Sequence, residues 1–293
     1  MRALKWVAGI LSLGLVLVLF TASANAAALN VRPVTPGDGG TALQNFFDTS
    51  VTGASYDAIN DQNAAALFTN TGAASVHEYV FKSSGAFAYG NMADFGIYSP
   101  ITGNYIKIYD LNLVNANSVA TVAFFNSDGI GGLNDVFISE ALPGGGVNTG
   151  TFLNFGTDIF GYYAKVNLGV LNGSIVNNNV INGTTNDKTG NFFHTEDDLN
   201  PGGAPYALVY NGHGGVLTGA AGAIDPFSSF YWLIAFEIVN DAAGAEGLGG
   251  ITDFDDFIVA VESVKPVPEP GTMMLLGSGL VGLAGWGRKK FRK

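Results

Sequence analysis

The chain has 293 residues, 47% of them hydrophobic, with 24 Asp and Glu against 13 Lys and Arg. Seven of the cations lie at the two ends, whereas Glu269 is the one acid there, which leaves 6 against 23 and a net charge of −17 on residues 27–265. A field of that sign repels nucleic acid and anionic headgroups and concentrates divalent cations, so nucleic acid is excluded as a partner.

The N-terminus reads as an export signal. Arg2 and Lys5 precede an apolar run over residues 7–20, and Ala24-Asn25-Ala26 offers signal peptidase the small-x-small site it cuts behind. Residues 1–26 are therefore expected to be removed. The exported body has no cysteine, so it must hold itself together by its core, by bound ions or by assembly. Residues 27–75 form an N-terminal segment with two short helices. Leu43, Phe46 and Phe47 fall on one side of residues 41–49, and Ile59, Ala66 and Leu67 on one side of residues 57–68, with Asp57 as its cap.

From residue 76 the period changes. Short apolar runs at residues 76–82, 86–89, 95–98, 105–114, 119–125, 136–139 and 158–168 are separated by Gly/Asn/Asp/Ser clusters, and Asn172-Gly173 and Asn182-Gly183 are hairpin signals. Within residues 105–114 the alternation Ile106/Ile108 shifts to Leu111/Leu113, which predicts a β-bulge. Residues 230–239, FYWLIAFEIV, are apolar on both faces and predict a central buried strand broken only by Glu237. A final strand is expected at residues 258–262. The 41 Gly show no three-residue period, which excludes collagen. Together these features predict a mainly β, sandwich-like body over residues 76–265.

Two polar clusters interrupt the strands. Asp253, Asp255 and Asp256 place three carboxylates in four residues, behind a Gly-rich loop at 244–250. Such a turn is either solvated or a cradle for calcium, which prefers oxygen ligands, and Glu237 joins it if the two flanking strands pair. An EF-hand is excluded, because neither its Gly nor its terminal Glu is present. His194, Glu196, Asp197 and Asp198 read as a solvated loop; zinc would need a second nitrogen, and only His77 and His213 are left.

Residues 190–262 resemble a domain of unassigned function found in bacterial surface proteins. Ala235-Phe236-Glu237, the Gly-rich loop and Asp253-Phe254-Asp255-Asp256 carry the resemblance, with Phe192-Phe193-His194-Thr195 and Tyr206-Ala207-Leu208 upstream and a fainter match at Phe95-Gly96-Ile97-Tyr98. The resemblance implies a calcium-binding β-structure. The chain departs from the pattern at Ile238 and Ile251, where carboxylates are usual, and weak calcium binding is the resulting expectation.

No catalytic centre is legible. His77-Glu78 lacks the spacing of a metalloprotease helix, Gly144-Gly145-Gly146 lacks the Lys of a phosphate loop, and there is neither a serine elbow nor a cysteine nucleophile. A glycosidase carboxylate pair is set by the fold and not by sequence spacing. The protein is not expected to be an enzyme.

The last segment, residues 266–293, is the most specific. Pro268-Glu269-Pro270 stays extended, because each ring fixes φ and removes an N–H. An uncharged apolar run follows, long enough to span a bilayer as a helix of about 25 Å, and Arg288, Lys289, Lys290, Arg292 and Lys293 hold its end in the cytoplasm. The order of tripeptide, span and basic cluster closely resembles the PEP-CTERM sorting signal, which exosortase recognises in exopolysaccharide-producing Gram-negative bacteria. That resemblance implies exosortase as partner, transient anchoring in the inner membrane, cleavage near Pro268-Glu269-Pro270 and release to the surface or the exopolysaccharide matrix, as a structural component. The alternative is a carbohydrate-binding module using Tyr and Trp faces, with a glycan hydrolase third.

Overall fold

A computed structural model describes residues 31–71, 75–83, 92–110, 119–125, 135–142, 152–166, 183–184, 192–200, 203–219, 222–237 and 253–267. The expected export signal over residues 1–26, the apolar span of the tail, the run at 86–89 and the Asn172-Gly173 turn lie outside them. Among the described residues no helix is long and apolar enough to cross a membrane.

Among the described residues the N-terminal part holds one helix, α1 (Thr41–Ser50), then β1 (Val51–Thr52), β2 (Gln62–Asn63) and β3 (Phe68–Asn70). Nine strands follow: β4 (Ser75–Ser83), β5 (Met92–Tyr98), β6 (Asn104–Asp110), β7 (Val119–Phe125), β8 (Asp135–Leu142), β9 (Phe152–Asn154), β10 (Ile159–Val166), β11 (Gly183–Thr184) and β12 (Phe192–His194). After a 3-10 turn, Asp197–Leu199, come β13 (Ala207–Asn211), β14 (Val216–Gly219), β15 (Gly222–Ile224), β16 (Tyr231–Phe236), β17 (Phe257–Glu262) and β18 (Val264–Pro266). The protein is mainly β, with antiparallel sheets and a short N-terminal helix, as its alternating pattern predicts.

Two large sheets make the sandwich. One runs β2-β13-β16-β17-β4-β7-β8-β9; the other runs β11-β6-β5-β10-β3-β18, with β12 also on β10. Between them lies the main core. Trp232, Ile234 and Phe236 of β16 and Val259 and Val261 of β17 face Phe95 and Ile97 of β5 and Phe160 and Tyr162 of β10. The alternate residues of the same strands, Leu233 and Ala235 of β16 and Ile258 and Ala260 of β17, point the other way into a second core. There they meet Leu43, Phe46 and Phe47 of α1, and Leu217 and Ile224 of a third small sheet ordered β1-β14-β15. Burial on both faces is why residues 231–236 of the predicted run carry no polar alternation. Its first residue, Phe230, lies outside the strand and is 72% exposed.

Helix α1 forms where the spacing of Leu43, Phe46 and Phe47 predicts it. Asp38 serves its start, accepting from the Gly40 and Ala42 N–H groups, each at 2.7 Å. The helix expected over 57–68 does not form. Asp57 accepts from the Ile59 and Asn60 N–H groups and closes one turn, after which Gln62–Asn63 pairs with β13. Phe68 belongs to the main core and is spent in β3. A bulge is present in β6, where Phe95 and Gly96 oppose Tyr109 and Lys107 and Ile108 is the extra residue; Leu111 and Leu113, on which the predicted phase shift also rests, lie outside the described residues. Gly183 does not turn as its Asn-Gly context predicts, but pairs with Tyr105 at the sheet edge.

Two glycines shape the outer face of the second sheet. A Cβ on Gly161 would collide with the Tyr98 ring, and one on Gly96 with the Ile106 carbonyl and the Tyr163 ring. The rings therefore lie flat on the strands beside them, and Tyr98, Tyr105, Tyr163 and Phe192 pack into a small aromatic cluster there.

Candidate functional site

The acidic turn forms where β16 ends and β17 begins. The register pairs Phe236 with Phe257, so that Glu237 and Asp256 occupy the next opposed positions. One carboxylate oxygen each from Glu237, Asp253 and Asp256 lie within 4.8 Å of one another. Two oxygens on one calcium ion lie at most about 5 Å apart, given bonds of 2.3–2.6 Å, so the three fit a shared cation. Asp255, named with them on sequence grounds, falls outside this trio; its N–H reaches Asp253 Oδ1 at 3.4 Å.

Local backbone holds the turn open. Glu237 Oε2 accepts from the N–H groups of Asp253 at 2.9 Å and Phe254 at 3.1 Å. Phe254 has φ of 57°, a conformation costly for a bulky side chain, and its ring is buried in the second core. A buried ring and a buried carboxylate thus impose the turn geometry together. Glu237 is 2% exposed. Burial, reinforced by Asp256 and Asp253 and by a hydrogen bond to Asp256, pushes its carboxyl up to about 10. A proton or a divalent cation would each relieve the repulsion among these carboxylates.

The second cluster corrects the sequence reading. His194, Glu196 and Asp197 are not a solvated loop but are buried. Strand β12 adds to the inner strand β10, pairing His194 with Tyr163, which carries the polar residues under the sheet's outer face. Tyr98 donates its hydroxyl proton to Glu196 Oε2, and Tyr105 Oη lies 2.8 Å from His194 Nε2. Arg32 spans both Asp197 oxygens, at 2.9 and 3.3 Å, and donates to the Ala207 carbonyl. Asn200 accepts from the His194 N–H and donates to the His194 carbonyl. Burial pushes the Glu196 carboxyl up to about 7, with Tyr98 acting against it and Asp198 with it. No signal in the sequence marks these partners, because Tyr98 and Tyr105 lie about a hundred residues upstream. Among the described residues no zinc-like set forms around His194; the one metal-capable group is Glu237, Asp253 and Asp256.

At the end of the described body and beyond it, residues 266–289 match the PEP-CTERM protein-sorting motif. The motif is a sorting signal found on proteins exported across the membrane to the cell surface, and it indicates an exported, exosortase-targeted protein. The Pro268-Glu269-Pro270 tripeptide lies inside the match. No curated protein and no solved structure matches the chain. The resemblance of residues 190–262 to a calcium-binding-like domain finds no support in these comparisons.

The two raised carboxyls set a pH dependence of fixed sign. Between the ordinary value of 4.5 and about 10, the folded body holds a proton on Glu237 that the unfolded chain has released. Stability therefore falls as pH rises through that window, and Glu196 adds to the fall between 4.5 and about 7. In chelator, the melting temperature of the body should drop from pH 5 to pH 8. Glu237→Gln, which keeps the hydrogen bonds of the protonated acid, should melt higher than wild type at pH 8 and show a shallower drop. A steeper drop in the variant would contradict the assignment.

Proposed function

We propose that the protein is a non-enzymatic structural component of the cell surface or exopolysaccharide matrix of a Gram-negative bacterium, released there after exosortase cuts near Pro268-Glu269-Pro270. The observation that carries this reading is the PEP-CTERM motif at residues 266–289, directly behind a body whose last strand ends at Pro266. The strongly acidic, cysteine-free body suits the outside of a cell, where divalent cations are available to bind it. The carbohydrate-binding alternative needs exposed flat rings. No described Tyr or Trp is exposed, and the large exposed apolar side chains are Val31, Ile101, Phe152 and Phe230. Intact-mass analysis of the surface form should show loss of residues 1–26 and of the segment beyond the tripeptide. A surface form that retains Arg288 to Lys293 would overturn the reading.

A second element of the proposal is weak calcium binding by Glu237, Asp253 and Asp256, supported by the 4.8 Å grouping of their oxygens. Three protein carboxylates leave several of calcium's 6–8 positions to backbone carbonyls and water, so a dissociation constant of about 10⁻⁴–10⁻³ M is expected. Binding to the folded body alone at ten times that constant stabilises it by about 1.4 kcal/mol. For a domain of this size the gain is a rise of about 3–6 °C in melting temperature. Wild type in millimolar calcium should show it, and Asp253→Ala/Asp256→Ala should not. Identical wild-type melting curves in calcium and in chelator would end the calcium assignment.

A further inference from the structure

The body and the sorting motif share residues. The motif match begins at Pro266, and Pro266 is the last residue of β18. Strand β18 pairs antiparallel with β3, with Val264 opposite Asn70, Lys265 opposite Thr69 and Pro266 opposite Phe68. Beyond it the Val267 N–H still donates to the Leu67 carbonyl at 2.9 Å, and before it the Thr71 N–H donates to the Ser263 carbonyl at 2.9 Å. Bonded pairs thus fall at 263, 265 and 267, and Pro266, without an N–H, sits at a position that needs none. No residue separates the last bond of the body from Pro268.

How that strand is held matters as much as where it ends. Strand β17 is clamped between β16 and β4 in the first large sheet, whereas β18 belongs to the second. Ser263 alone makes the crossing, at φ of 62°. Strand β18 ends its sheet, so among the described strands only β3 holds it. Val264 is buried in the main core, while Lys265 is exposed and Pro266 half-buried. The segment is a short edge ladder with one buried side chain and a tight turn behind it, the kind of element that opens locally without global unfolding.

An enzyme that cuts near Pro268-Glu269-Pro270 must surround an extended backbone. A stretch of about four residues before the tripeptide is about 13–14 Å of chain, which is residues 264–267. Those residues cannot lie in an active-site cleft and in the sheet together. We propose that β18 is a latch: the exosortase acts on the form in which residues 264–267 have lifted from β3, and the closed ladder protects the cleavage point. This rests on the processing reading above. If opening and closing are fast relative to cutting, processing follows the population of the open form.

The test uses the full chain in an exosortase-containing host. The chain has no cysteine, so Thr69→Cys/Lys265→Cys introduces a single disulfide in the oxidising periplasm. Opposed residues of a bonded pair have Cα atoms about 5.5 Å apart, within disulfide range. The latch predicts that the bridged variant is processed at least tenfold more slowly than wild type, that dithiothreitol restores its processing, and that each single variant behaves as wild type. Val264→Ser, which loosens the ladder, should be processed severalfold faster. Wild-type processing of the bridged variant, or unchanged or slower processing of Val264→Ser, would overturn the latch alone. Absence of any cleavage in the wild type would overturn the processing reading and the latch with it.

Discussion

Strand β16 is buried on both of its faces, and most of the architecture answers to that constraint. One face needs an opposing sheet, supplied by β5 and β10 through Phe95, Ile97, Phe160 and Tyr162. The other needs a cover, supplied by α1 and the small sheet through Phe47, Leu217 and Ile224. Each large aliphatic or aromatic side chain so buried contributes about 1.5–3 kcal/mol, and with no disulfide available these two layers carry the fold. Glu237 follows the last residue of the strand, still donating its N–H to the Tyr206 carbonyl, and a carboxylate so buried must be satisfied. Its partners are the N–H groups of Asp253 and Phe254 and the Asp256 carboxyl, so the candidate cation site adjoins the doubly buried strand.

The same constraint ties the body to its sorting tail. Strand β17 is locked beside β16, but the chain then leaves that sheet through Ser263 and finishes on the edge of the other sheet as β18. A strand paired on both sides and a strand paired on one are thus separated by one residue. Under the processing proposed above, that division would keep the body intact while its terminus is offered to a membrane enzyme.

Legibility in the sequence followed the range of the interactions. Helix α1 was readable because Leu43, Phe46 and Phe47 declare its face locally, and β7, β16 and β17 because apolar runs of their length admit little else. The tail was readable because its signal is linear. The segment at 57–68 misled because its apolar residues fit a helical face, whereas Asp57 closes a single turn and Phe68 is claimed by the main core. The trio of Glu237, Asp253 and Asp256 was half-legible: the carboxylates are visible, but the register that drops Asp255 and opposes Asp256 to Glu237 is tertiary. Burial of His194, Glu196 and Asp197 was not legible, since Tyr98, Tyr105 and Arg32 reach them from remote positions in the chain.

The account depends on a strand buried on both sides in a body that ends in a weakly held one. Native-state amide hydrogen exchange of the body, resolved by residue, tests this most directly. The account predicts that the amides of Trp232 to Phe236 and of Phe257 to Val261 exchange slowest, at the rate of global unfolding, and that Lys265 and Val267 exchange through a cheaper local opening. Amides of β16 that exchange as fast as those of β18 would contradict it.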